Sequence, residues 1–294
     1  MLWWVGTACR FSLGLTATEG MFMASTDQQD RWQQECQLQR DLAELQVYHL
    51  FDRLRAGEVP AECNPAPPPG RTVFEFATAA WTTFYSYYFR DADAGDHREP
   101  AWLAFTERLR NVFDGGSNLD AAVERGCRLL EPHVAERDAR MRDTFGAVSP
   151  FGCFRYDYSD ESRYVAMHFA NAYEPQSPFD HMDRLVASLA DIIEDIAANG
   201  YTVDRIGCDS WLDNVPAFQS CFPPSFAASM VPTNPDTKNG YGWWGQFIDR
   251  TGSLHEGRAR QLKRTRRFRY PRMHAECPYT DFVEHVNRAN AGAS

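Results

Sequence analysis

The chain has 294 residues, 44% of them apolar and 24% charged, with a formal net charge of −10. That composition excludes collagen, a coiled coil and a wholly disordered chain, and the length suits two domains rather than one small core. The acidic balance excludes a protein that coats nucleic acid or an anionic membrane with its whole surface, because phosphate repulsion would oppose its approach; a local basic site stays open.

Residues 1–29 read as a poorly ordered leader. Leu2 to Ala8 is apolar, but no basic residue precedes it and it is far too short to span a bilayer. Met21 or Met23 offers a natural alternative start. From Asp30 to Arg55, Leu38, Leu42, Leu45, Tyr48 and Leu54 recur at helical spacing until Gly57 and Pro60 end the pattern. A stiff, proline-rich connector follows at 64–70. The aromatic-loaded stretch from Val73 to Arg90 predicts a helix buried on several sides. Pro100 opens a helix to Phe113, and Asn118 or Asp120 caps the next, to about Leu130. A charged fifth helix is predicted over 134–145.

Beyond Ser149 the texture changes, with strands predicted at 151–158, within 163–173 and over 202–211, and a helix over 179–199 stopped by Gly200. Strand, helix of about 20 residues, strand is the βαβ pattern, and a right-handed crossover makes its strands parallel. A later strand is expected from Trp243 to Asp249. The fold class is therefore α+β: a helical domain over 30–148, then a mixed-sheet α/β domain over 149–294. Eight scattered cysteines without a CxxC pair argue against zinc ribbons and redox dithiols, and in a core of this size they read as thiols. No run approaches 18 apolar residues, so the expectation is a cytoplasmic chain with no membrane partner.

Two constellations draw attention. The βαβ reading brings His168 near Cys208, Asp209 and Ser210 at the strand ends, where open α/β sheets place ligands. The histidine there is either a base for a nucleophile or a structural hydrogen-bonder. Asn171, Trp211 and Trp244 are candidate substrate contacts, although both tryptophans of Trp243-Trp244 read more readily as core or surface cover than as a pocket wall. Further on, residues 258–272 hold eight basic residues and no acid. The Gly252-Ser253 turn and His255 open this segment. A turn leading into a helix presents free N–H groups to an anion, and Arg258, Arg264, Arg266 and Arg267 add bidentate partners, unless they pair with the protein's own acids.

The order His168-Phe169-Ala170, a helix, then Cys208-Asp209-Ser210-Trp211-Leu212-Asp213 resembles the His-Ile-Pro and Cys-x-Ser-Trp-Leu-Leu elements of a two-domain GNAT-like N-acyltransferase family. Phe169-Ala170 stands in place of Ile-Pro, and the Arg/Gln-x-x-Gly-x-Gly/Ala pyrophosphate loop is absent, with Leu254 where its first residue belongs. The resemblance implies a helical domain joined to a GNAT-like domain. It also implies an acyl thioester donor and an amine acceptor; with the basic segment, the expectation is acyl or aminoacyl transfer to the amine of a small molecule, with no tightly bound cofactor. The co-substrate would be acyl-CoA or a similar phosphate-bearing carrier, either a carrier protein or tRNA. His168, Asp209 and Ser210 would then be catalytic.

Two other classes compete with this reading. His168, His181, His255 and His274 with nearby carboxylates suggest a non-haem metal-dependent oxidase, although no HxH, HxxxH or ExxH occurs and no metal is expected. The basic helix alone suggests a non-enzymatic binding module.

Overall fold

The computed structural model of the chain describes residues 26–57, 100–116, 118–142, 145, 149–233 and 241–293. Helix α1 spans Thr26–Arg55, α2 Pro100–Asp114 and α3 Leu119–Met141. The connector at 64–70 and the aromatic helix predicted over 73–90 lie outside the described residues, as does most of the predicted leader. Its last four residues, 26–29, already belong to α1. Asn118 caps α3, its side chain accepting from the Asp120 N–H at 2.9 Å. The two helices expected on either side of residue 132 are one: α3 runs through Pro132. Losing one backbone hydrogen bond there is offset because Leu130, Val134 and Arg137 continue the buried stripe.

Strands β1 (Phe154–Ser159) and β2 (Tyr164–Phe169) form an antiparallel hairpin. Helix α4 (Met182–Ala198) then carries the chain to β3 (Arg205–Ser210), which pairs with β2 in parallel, as the βαβ pattern requires. Leu185, Leu189, Ile192 and Ile196 form the stripe by which α4 covers the sheet, leaving Asp191 and Glu194 exposed. Beyond β3, short helical turns at Pro216–Gln219 and Pro224–Ala228 lead to β4 (Val231–Pro232). Helix α5 (Glu256–Thr265), β5 (Met273–Pro278) and α6 (Tyr279–Ala293) complete the chain. The sheet order is β1-β2-β3-β5-β4, with β5 antiparallel to both neighbours. The protein is α+β, a helical N-terminal region followed by a mixed-sheet region.

The strand expected over 243–249 is not one. Tyr241–Trp244 is a helical turn and Gly245–Phe247 a 3-10 turn. Both tryptophans are buried. Trp243 stacks on Phe268 at 3.7 Å, and Trp244 meets His49 of α1 edge-on at 5.9 Å. Burial satisfied two aromatic side chains better in a helical turn wedged between helices than on the two faces of a strand. Trp244 belongs to a cluster with Leu38, Leu42 and Leu45 of α1 and Phe247, Ala259 and Leu262, so it joins the two halves and does not reach a ligand site. The remaining faces of α1, through Val47, Leu50 and Phe51, pack against α2 and α3.

Leu42 is fully buried in the cluster that joins the halves. Leu42→Ala is expected to destabilise the fold by about 2–5 kcal/mol, read by chemical denaturation. A loss below about 1 kcal/mol would show that the two halves do not depend on this contact. Cys36, Cys127, Cys153, Cys208, Cys221 and Cys277 are unpaired thiols. No helix among the described residues is long and apolar enough to cross a membrane.

Candidate functional site

A cleft of about 420 Å³ opens at the carboxyl ends of β2 and β3. Five segments line it: Phe169–Asn171 leaving β2, the loop around Glu174 to Phe179, Trp211-Leu212 leaving β3, residues 245–250, and His255 with Arg258 at the start of α5. Two adjacent parallel strands whose connections leave in different directions open such a crevice, and its volume suits a small molecule. Phe169 and Phe179 stack at 5.9 Å as one apolar wall, while Trp211 stacks on Tyr270 at 5.8 Å as another.

The charged lining sits among these rings. Arg258 lies over both Trp211 and Tyr270, its Cζ 5.7 and 5.4 Å from the ring centroids, and its Nη1 donates to the Gln246 carbonyl at 2.6 Å. Burial, with Arg258 beside it, holds the His255 imidazole below its usual pKa, so it is neutral at pH 7. Burial, reinforced by the Glu35 and Asp249 carboxylates, holds the Glu174 carboxyl above its usual range. The Asp249 carboxylate is spent on its own turn: Oδ1 accepts from the Thr251 N–H at 2.8 Å, the Thr251 hydroxyl at 2.7 Å and the Ser253 N–H at 3.1 Å.

Of the sequence-predicted residues, Asn171, Trp211, His255 and Arg258 line this cleft. Gly252 and Ser253 form the adjoining turn, with Gly252 at φ +77°, and α1 clamps that turn through Gln34 Nε2, which donates to Thr251 O at 2.6 Å. The Ser253 N–H expected to meet an anion is therefore engaged by Asp249.

His168 and Ser210 do not meet. The register pairs Val165 with Ile206 and Ala166 with Gly207. Alternation then sets Ser210 on the face covered by α4, and His168 with Asp209 on the opposite, polar face. The Ser210 hydroxyl accepts from the Leu212 N–H at 3.0 Å, capping the turn after β3. His168 pairs with Asp157 of β1 at 2.8 Å, and Asp209 lies 3.4 Å from Arg272 and 3.3 Å from His274. Gly207 at the centre of that face leaves room for the Tyr164 phenol, which a Cβ there would approach to 2.6 Å. The trio expected to be catalytic, His168, Asp209 and Ser210, is thus dispersed over two faces, for a reason the sequence does not disclose: the parity of strand pairing.

The basic segment is helical only to Thr265. Arg266 caps α5 in the left-handed conformation, at φ +56°. The far end of the segment docks on α1, with Arg266 Nε 2.7 Å from Asp52 and Lys263 Nζ 3.8 Å from Glu44 and 4.8 Å from the Tyr48 ring centroid. Arg264 and Arg267 are exposed. Glu174, Asp249 and Arg250 are cleft residues that sequence reading missed, since all three lie in loops without periodicity.

Among the described residues, no three His, Cys, Asp or Glu side chains gather in a way that could hold a metal ion. His168 and His274 lie on the polar sheet face, His255 lines the cleft, and His181 bonds Gln176 at 2.6 Å. Comparison of the chain with protein-family models, with curated proteins and with solved structures finds no match.

Proposed function

We propose that the chain transfers an acyl or aminoacyl group from a phosphate-bearing carrier to the amine of a small molecule seated in the cleft. The observation that carries this reading is the His255 imidazole, its pKa held down by burial, lining a half-apolar cleft at the ends of two parallel strands. An amine attacks an acyl carbonyl only after losing a proton, and a base that is neutral at pH 7 can take it. The new bond joins amine nitrogen to acyl carbon, the bond from acyl carbon to the carrier's sulfur or oxygen breaks, and the leaving group takes a proton. His255 replaces His168 as the base in this reading. The GNAT-like resemblance carried by 168–170 and 208–213 also supports the reading.

The exposed Arg264 and Arg267 would meet the carrier's phosphate. Arg264 lies six residues beyond Arg258 on α5, and at 1.5 Å of helical rise per residue that is on the order of 10 Å from the cleft. A carrier with its acyl end in the cleft must separate acyl group and phosphate by at least that distance.

The test supplies the full chain with acyl-CoA thioesters of short and long chain, or with aminoacyl-tRNA, together with an amine panel, and identifies products by mass. Amine-dependent thiol or tRNA release with an N-acyl product is expected. Release that never depends on the amine, across all donors, would overturn the reading.

A further inference from the structure

The polar groups of the cleft divide into those already spent within the fold and those left facing the cavity. Asn171 uses its amide in its own loop, donating to Gln176 O and accepting from the Tyr173 N–H, both at 2.9 Å. Ser177 Oγ accepts from the Phe179 N–H at 3.3 Å, and Asp249 holds its own turn. What remains is the Glu174 carboxyl, the His255 imidazole, the Trp211 indole N–H, Arg250 at the exposed rim and most of the Arg258 guanidinium.

Arg258 is fixed before any ligand arrives. Its Cζ lies over two aromatic rings and Gln246 O holds Nη1, while its Nε–Nη2 edge has no hydrogen-bond partner among the described residues. Such an edge matches the two oxygens of a carboxylate side by side, and a pre-organised fork loses little entropy in binding them. Glu174, likewise without a hydrogen bond among the described residues, supplies the opposite charge within the same half-apolar cavity. A ligand carrying one charge would leave the other protein charge desolvated and unpaired, which is costly.

We propose that the cleft binds a free α-amino acid with a large apolar side chain, its carboxylate on the open edge of Arg258, its ammonium on Glu174 and its side chain against Phe169, Phe179 and Ile248. This rests on the reading of the cleft as the acceptor site and specifies the acceptor's class. The bound amino acid presents its nitrogen where His255 can take the proton that acyl transfer requires.

The test is calorimetric titration of the full chain with L-phenylalanine, with 2-phenylethylamine, which lacks the carboxylate, and with 3-phenylpropionate, which lacks the ammonium. Phenylalanine binds, and each analogue binds at least about 10-fold more weakly, because a site built for a polar group rejects ligands lacking it. In Arg258→Gln the affinity for phenylalanine falls to that for phenylethylamine, and in Glu174→Gln to that for phenylpropionate. Thermal unfolding checks that both variants fold, and the three-ligand comparison on the native chain does not depend on them. Equal affinity of the native chain for phenylalanine and either analogue, or no binding of phenylalanine, leucine or tryptophan at millimolar concentration, overturns the proposal. Selective binding without transfer from any donor leaves the amino-acid site standing and removes the transferase reading. Transfer to phenylethylamine as efficient as to phenylalanine does the reverse.

Discussion

Asp213→Asn is expected to flatten the fall in stability between pH 4 and pH 7, and to make the variant the more stable of the two proteins at pH 8. Asp213 is fully buried in the 3-10 turn that follows β3, with Oδ1 accepting from the Cys208 thiol at 2.9 Å and Oδ2 without a partner. Burial pushes its carboxyl up to about 7, against the modest opposing effect of the Cys208 and Ser210 hydrogen bonds. The unfolded chain releases this proton near pH 4, so between pH 4 and pH 7 the folded state binds the extra proton. The stabilisation from keeping it is complete below about pH 4 and is lost as pH rises through 7. At about 1.4 kcal/mol per pH unit, the swing reaches about 4 kcal/mol. Asparagine cannot ionise but buries an unpartnered N–H, costing about 1–3 kcal/mol at every pH. The native protein therefore leads at pH 4 and the variant at pH 8. Denaturation curves of both proteins across this range decide it, and parallel pH profiles would show that Asp213 is already ionised in the folded state.

His255→Ala is expected to lower turnover roughly 100-fold or more, the size of a lost general base, with little change in stability because the ring is only part-buried. The native rate should fall only as pH drops below the usual histidine range, since the base acts when deprotonated and burial beside Arg258 holds its pKa down. The variant loses that acidic limb. His168→Ala is the comparison: its imidazole is bonded to Asp157 on the sheet face turned away from Ser210, and turnover should stay within about twofold. A 100-fold loss at His168 with none at His255 would return the chemistry to the polar face. Measuring both variants over pH 5–9 separates the two sites.

Periodic local patterning made much of the fold legible. The stripe Leu185, Leu189, Ile192 and Ile196 between two β-favouring runs dictates helix α4 and a parallel strand pair, because a short crossover cannot arrive any other way. The leucines of α1 and the capping role of Asn118 follow from equally local rules. Strand β5 was not expected from the sequence, because the basic run before it drew the reading toward helix, although Met273, Ala275 and Cys277 alternate as its buried residues. What only the tertiary structure decided was parity and convergence. Whether His168 shares a face with Ser210 depends on a register set across about 40 residues of chain, and a shift of one residue reverses it. Trp243 and Trp244 carry β-favouring side chains, yet packing against α1 and Phe268 holds them in a helical turn. The cleft draws on five segments, and the apolar packing that folds the sheet brings Glu174, His255 and Arg258 to its edge, a convergence no spacing in the sequence encodes.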